Sequence, residues 1–268
     1  MNHARTHRVL GVVPARLGSE RLPRKPLHVL AGRPLIEWVW RRVASFDALD
    51  RVVVATDSPD IVDVCERIGA QAELTSPAHE SGTDRVAEVA ARSAFRDFDV
   101  VVNIQGDEPF VREDAVRESA RLVTEGWDVG TAAAPVGEVE AWRNPAVVKV
   151  VRGDDGGALY FSRAPIPFRR DGAPTAEDLA GDAYLRHIGV YAYSPAALRR
   201  WVALPPGRLE RTERLEQLRA LAAGLRIGVG VVAEDAGGVD TMEDARRAEA
   251  RLMAMQSGTG SPTASGGA

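Results

Sequence analysis

The chain's 268 residues are enough for one large α/β domain or two small ones, with a substantial buried core. Hydrophobic residues at 45% and charged residues at 27% exclude collagen-like, disulfide-scaffold and wholly disordered classes. With 34 basic against 38 acidic residues the formal charge is −4, which argues against nucleic acid or an anionic membrane as a partner of the whole surface.

In chain order, the run VLGVV at 9–13 is apolar without alternation, as in a strand covered on both faces, and Pro14 is expected to end it. Similar runs recur at 52–55, 100–104 and 129–134. Helical spacing marks 35–43, with Leu35, Val39 and Val43 on one face, then 60–68, 85–95 and 115–123. Strands alternating with helices predict an α/β fold: a mostly parallel sheet flanked by helices, whose first half is a nucleotide-binding layer. After about residue 145 the rhythm changes. Strands are expected at 147–151, 158–162, 187–193 and 226–232, and helices at 195–202 and 213–223. A closing helix at 241–253 follows its cap Thr241, and the polar stretch 169–182, with Gly and Pro, reads as a loop. The expected organisation is a single domain at 8–255: a nucleotide-binding part at about 8–145, a smaller mixed part at about 146–237, and the closing helix at 241–255. The tail 257–268, SGTGSPTASGGA, has flexible-linker composition and is expected to be disordered. The single cysteine, Cys65, fits a reducing compartment, and neither a secretory leader nor a membrane-spanning run is evident, so a cytoplasmic location is expected.

In open α/β sheets ligands bind beyond the carboxyl ends of the strands, and four segments fall there. The first, 14–27, places Arg16, Arg21, Arg24 and Lys25 close together in an acidic chain. Gly18 and Ser19 allow a tight turn with exposed N–H groups, so Arg16 and Lys25 suit a polyphosphate, although a solvated basic loop has the same composition. It matches neither GxxxxGK[ST] nor GxGxxG. The second, NIQGDEP at 103–109, puts Asp107 at a strand terminus, where a carboxylate can hold Mg²⁺ or can cap a turn. In the third, Asp240 precedes the cap Thr241 and could complete a two-carboxylate metal site with Asp107. The fourth, 76–85, offers Ser81, Gly82, Thr83, Asp84 and Arg85, which suit base or ribose recognition and equally a helix cap.

Together and in order, PARLGSERLPRKPL (14–27), VVVATDSPDI (52–61), TSPAHESGTDR (75–85), VVNIQGDEPF (101–110), NPAVVKVV (144–151), ALYFSRAPIPF (158–168), RHIGVYAY (186–193), LERTERLEQLRAL (209–221) and GVDTMEDA (238–245) resemble the 3-deoxy-manno-octulosonate cytidylyltransferases, or CMP-KDO synthetases, from about residue 9 to 252. The resemblance implies a nucleotide-diphospho-sugar-transferase-like fold. It also implies Mg²⁺-dependent transfer of CMP from CTP to 3-deoxy-D-manno-octulosonate (KDO) with release of pyrophosphate, for lipopolysaccharide biosynthesis, by a homodimer whose second half binds sugar and the partner. Arg16, Lys25, Asp107 and Asp240 would be catalytic, with Asp107 and Asp240 on the metal. Ala15, Arg16, Lys25, Ser81, Gly82, Thr83, Asp84, Arg85 and Asp107 would seat the nucleotide. Gln105, Arg163, His187, Tyr191, Glu216 and Gln217 would face the sugar acid, Arg163 being suited to its carboxylate. His187 and Tyr191 share a strand face, whereas Glu216 and Gln217 are adjacent helical positions that point apart, so at most one touches the sugar.

Within the same chemistry, the alternative substrate is a related sugar acid such as 8-amino-KDO or a sialic acid. From other classes, a non-catalytic nucleotide-binding protein would have no need of Asp107, Asp240, Arg16 and Lys25 together, and a glycosyltransferase would show a DxD-like pair after a strand.

Overall fold

The computed structural model describes residues 7–19, 21–233 and 237–257. Its first half runs β1 (Val9–Ala15), β2 (Val29–Leu30), β3 (Arg33–Pro34), α1 (Leu35–Val43), β4 (Arg51–Thr56), α2 (Pro59–Ile68), β5 (Ala72–Leu74), α3 (Gly82–Ala91), β6 (Val100–Asn103), α4 (Glu113–Thr124) and β7 (Val129–Pro135). The second half continues with α5 (Val139–Arg143), β8 (Lys149–Arg152), β9 (Ala158–Ser162), α6 (Ala176–Ala180), β10 (Leu185–Tyr193), α7 (Pro195–Val202), α8 (Arg208–Glu213), α9 (Gln217–Ala222), β11 (Ile227–Val231) and α10 (Met242–Gln256). Among the described residues no helix is long and apolar enough to cross a membrane.

The main sheet has the order β11-β7-β10-β6-β1-β4-β5, with β8 and β9 extending from β10. Neighbours along this path are parallel except β10, which runs antiparallel to both β6 and β7. The second half therefore completes the sheet begun by the first. Alternation along the buried strands feeds two apolar layers. Val13, Val54 and Val102 face α1, α2, α4 and α10, while Leu10, Val12, Val53 and Val101 face α3, α7 and α9.

Several elements differ from expectation for identifiable reasons. β1 continues through Pro14, because its pairing with β6 ends at Val12↔Asn103 while pairing with β4 runs on to Ala15↔Thr56. The missing Pro14 donor thus falls beyond the last β6 rung. α3 starts three residues early, since Ser81 and Asp84 form a reciprocal capping box, and it ends at Ala91 before a 3₁₀ turn. The expected loop at 169–182 contains α6, capped by Thr175 with Asp178, and buries Leu179 against Val136, Trp142 and Tyr184. The single helix expected at 213–223 is instead α8 and α9, separated by Arg214 at φ 53° and ψ 49°. Thr241 does cap the closing helix, accepting a bond from Asp244 N at 3.2 Å. Apart from Ser257, which ends α10, the expected flexible tail lies outside the described residues.

Candidate active site

A cavity of about 800 Å³ opens beyond the carboxyl ends of β1 and β6, where strand order and switch-point logic place a ligand. Ala15, Arg16, Lys25, Ser81, Gly82, Arg85, Gln105, Asp107 and Asp240 all line it, so all four sequence segments meet at one place. The first contact is steric. A Cβ on Gly106 would lie 2.5 Å from the Pro14 carbonyl oxygen, so only glycine lets the loop after β6 pack against the end of β1.

Charge organises the cavity's floor. The Lys25 ammonium bonds Asp107 Oδ2 and, at 3.0 Å, Asp240 Oδ1. Arg21 joins at 3.1 Å from the same Asp240 oxygen. A backbone bond of 2.9 Å from Val239 N to Asp107 O ties the two acidic turns together, although 133 positions separate the two aspartates in sequence. Burial by itself would lower the pKa of Lys25, but the Asp107 and Asp240 carboxylates more than reverse this and raise it above its ordinary value. The ammonium is therefore charged and sits between two carboxylates, the arrangement a divalent cation would also satisfy. Arg24, in contrast, turns away and pairs with Asp60 at 2.6 Å.

The α3 wall is built from residues with assigned partners. Arg85 is only 2% exposed and donates to Asp57 Oδ2 at 2.9 Å and Thr75 Oγ1 at 2.6 Å. Ser81 and Asp84 bind each other, which leaves Asp84 holding the helix start; it does not line the cavity. Thr83 is buried and donates to Glu216 Oε2 at 3.0 Å. Arg16 reaches Glu80 O at 3.5 Å and remains largely exposed.

Of the six residues assigned to sugar, Gln105 alone is among the residues lining this cavity. Gln105 lines the cavity and donates to Gly189 O at 3.3 Å. His187 and Tyr191 share a face as expected, their rings 5.2 Å apart, in an aromatic group that continues through Tyr193 and Trp201. Burial pushes the His187 pKa down to about 3, so the ring is neutral and bonds Thr131 Oγ1 at 2.9 Å. Burial also raises Glu216, despite the Thr83 bond, and Trp201 Nε1 reaches its other oxygen at 3.3 Å. Gln217, buried in the first turn of α9, is not on the cavity surface.

Arg163 needs correction. Its Nε donates to Glu213 O at 2.8 Å, Nη1 to Pro145 O at 3.0 Å and Nη2 to Arg214 O at 3.5 Å, so its guanidinium is aimed at backbone carbonyls and not into the cavity. Arg214 lines the cavity instead, a residue the sequence reading passed over as part of a continuous helix. Pro14 and Glu80 were likewise missed as lining residues. Pro14 was legible only as a strand end and Glu80 only as a neighbour of a cap.

Comparison with known proteins shows the chain's family. A family model described as Cytidylyltransferase matches residues 10–227. A 3-deoxy-manno-octulosonate cytidylyltransferase from Gemmatimonas aurantiaca is 52% identical over 241 residues, covering 90% of this chain and 92% of the relative. This chain belongs to the 3-deoxy-manno-octulosonate cytidylyltransferase family. A family member from Yersinia pseudotuberculosis is 44% identical over 246 residues, covering 91% of this chain and 98% of its own. The solved structure of a CMP:2-keto-3-deoxy-manno-octonic acid synthetase complexed with CTP superposes with a TM-score of 0.83 at 37% identity, covering 93% of this chain and 99% of that one. Within this cytidylyltransferase fold, all nine strands of the main sheet come from the stretch between Val9 and Val231.

Proposed function

We propose that the chain is a nucleotidyltransferase that joins CTP to 3-deoxy-D-manno-octulosonate, giving CMP-KDO and pyrophosphate. The observation that carries this reading is near-full-length similarity to family members, together with a cationic cavity at the carboxyl ends of β1 and β6. The sugar's 2-hydroxyl oxygen bonds to the α-phosphorus of CTP as the bond from that phosphorus to the α–β bridging oxygen breaks. The hydroxyl proton passes to solvent. Such a displacement asks the protein chiefly for in-line positioning and neutralisation of charge.

Arg16 and Lys25 would hold the triphosphate and the departing pyrophosphate, while the α3 start, including Ser81, Gly82 and Arg85, would seat the nucleoside; all five line the cavity. Asp107 and Asp240 would hold Mg²⁺, and the fit is supported by their convergence on one cation, the Lys25 ammonium. Bound there, Mg²⁺ would supply positive charge to the phosphoryl oxygens. Release of Lys25 from the carboxylates would leave its ammonium free for phosphate.

We further propose a homodimer acting in the cytoplasm, in lipopolysaccharide biosynthesis. Phe168 at 83% and Leu159 at 63% exposure are large apolar side chains that a second copy could cover, and the buried free thiol of Cys65 suits a reducing compartment. Light scattering on the purified chain tests the dimer. Pyrophosphate release assayed with CTP and KDO, with and without MgCl₂, tests the reaction; no turnover with KDO overturns the substrate assignment, and undiminished turnover in chelator overturns the metal.

A further inference from the structure

Among the described residues, the cations lining the cavity differ in how they are held. Arg21, Lys25 and Arg85 are all engaged by carboxylates, and Arg16 reaches a carbonyl. Arg214 is exposed on the wall, and its guanidinium has no such partner among the described residues. Its backbone is nevertheless held firmly in an unusual place. At φ 53° it is one of three non-glycine residues with positive φ among the described residues, a conformation that side chains disfavour and that clusters at functional sites.

What fixes that backbone is a relay of buried donors. Lys149, fully buried, places all three ammonium protons on carbonyls: Asn144 at 2.9 Å, Val147 at 2.6 Å and Arg163 at 2.7 Å. Arg163 in turn grips the Glu213 and Arg214 carbonyls, and the Glu213 carboxylate accepts from Ser162 Oγ at 2.6 Å and Arg163 N at 2.9 Å. The segment is thus clamped from its own β8–β9 side, immediately before Glu216 and its bond to Thr83. The phosphate-side cations all come from 16–25, so Arg214 adds a positive charge from a different element of the fold.

We infer that Arg214 is a specificity-determining residue whose guanidinium pairs with the carboxylate of the second substrate, a 2-keto-3-deoxy sugar acid, and that Arg163 is the positioning residue that presents it. A guanidinium matches a carboxylate bidentately, and the role that residue type suggests for Arg163 passes to the arginine it holds in place. The Arg214 role rests on the sugar-acid reading above.

The test is steady-state kinetics of the full chain with CTP and sugar acid varied separately, using KDO and its C1 carboxamide. Arg214→Gln is expected to raise KM for KDO about 10- to 100-fold, the range for a lost charged hydrogen bond, with KM for CTP within about twofold. It should also lose the wild-type preference for acid over amide. Arg214→Gly is expected to raise the same KM while melting no lower than wild type, because glycine accepts the left-handed backbone, so misfolding is not the cause. Arg163→Lys should raise KM for KDO alone but add little in the Arg214→Gln background, the coupling expected of a positioning residue. A rise in KM for CTP with KM for KDO unchanged places the guanidinium on phosphate and overturns the assignment, as does no change in either. Wild-type turnover of a different sugar acid overturns only the substrate reading, and the same KM split on that acid then decides Arg214. No turnover with any sugar acid overturns both.

Discussion

Two regions of the fold are built on opposite principles. The floor beyond β1 and β6 consists of charges that satisfy one another, Lys25 with Asp107 and Asp240 and Arg21 with Asp240. The group contributed by β10 and α7 is neutral and aromatic, with His187, Tyr191, Tyr193 and Trp201 in contact, and it lies off the cavity lining. On the function proposed above, phosphate and metal would take the place of the ion pairs at the floor. The aromatic group is held by packing, with Tyr193 and Trp201 in the buried core and Tyr191 against it.

The sharpest way to break this contrast is at the floor. Asp107→Asn is expected to reduce kcat for pyrophosphate release by about 10²–10³-fold, the usual scale for a removed electrostatic contact, while the far-ultraviolet dichroism stays native. Wild-type-like turnover in that variant would remove Asp107 from the chemistry. Gly106→Ala comes next. Its Cβ would stand 2.5 Å from Pro14 O, so the backbone must shift, and a loss of about 1–3 kcal/mol of stability is expected in denaturant titration, together with lower kcat. An alanine variant as stable as wild type would show that the loop can yield.

The aromatic group makes a different prediction, in pH. His187 titrates near 3 in the folded protein against an ordinary value of 6.5, so the unfolded chain binds the extra proton between those values. The contribution of His187 to stability is complete above about pH 6.5 and is lost progressively as pH falls toward 3. Replacing it with Phe should flatten the acid limb by at most about 1.4 kcal/mol per pH unit, read from denaturant midpoints at several pH values. An unchanged slope would mean that the imidazole is hydrated in the folded state. The smallest effect is expected at Arg24, which pairs with Asp60 on the surface. Arg24→Ala should change stability by less than about 1 kcal/mol and kcat by less than about twofold. A larger loss of turnover would place Arg24 among the triphosphate contacts.

Much of this arrangement was legible in the sequence, and the exceptions share a cause. Apolar runs and helical spacing located β9, α1 and α7 to the residue, since burial on one or both faces leaves a direct trace in residue order. Asp107, Asp240, Arg16 and Lys25 were found from strand ends and charge, and the structure brings all four to one cavity. Arg214 and Arg163 were not separable in this way. Residues 213–223 have helical spacing, with no Gly or Pro at the break; it is imposed by bonds from Arg163, 51 positions before Arg214. Long-range hydrogen bonds of this kind leave no periodic signal. Lys149 had one, as a lone charge within the apolar run 147–151, and burial with three carbonyl partners explains it.

The position of β10 also bears on how the chain is made. Translation releases β6 and β7 before Leu185–Tyr193, yet these two strands are joined in the sheet only through β10. A nascent chain that has emerged only as far as β7 therefore holds β6 and β7 with facing, unpaired edges, and vectorial synthesis leaves the middle of the sheet to be filled late. Pairing across this gap is long-range and slow to close, so the emerging amino-terminal half is the stage at which holding factors at the ribosome would matter most.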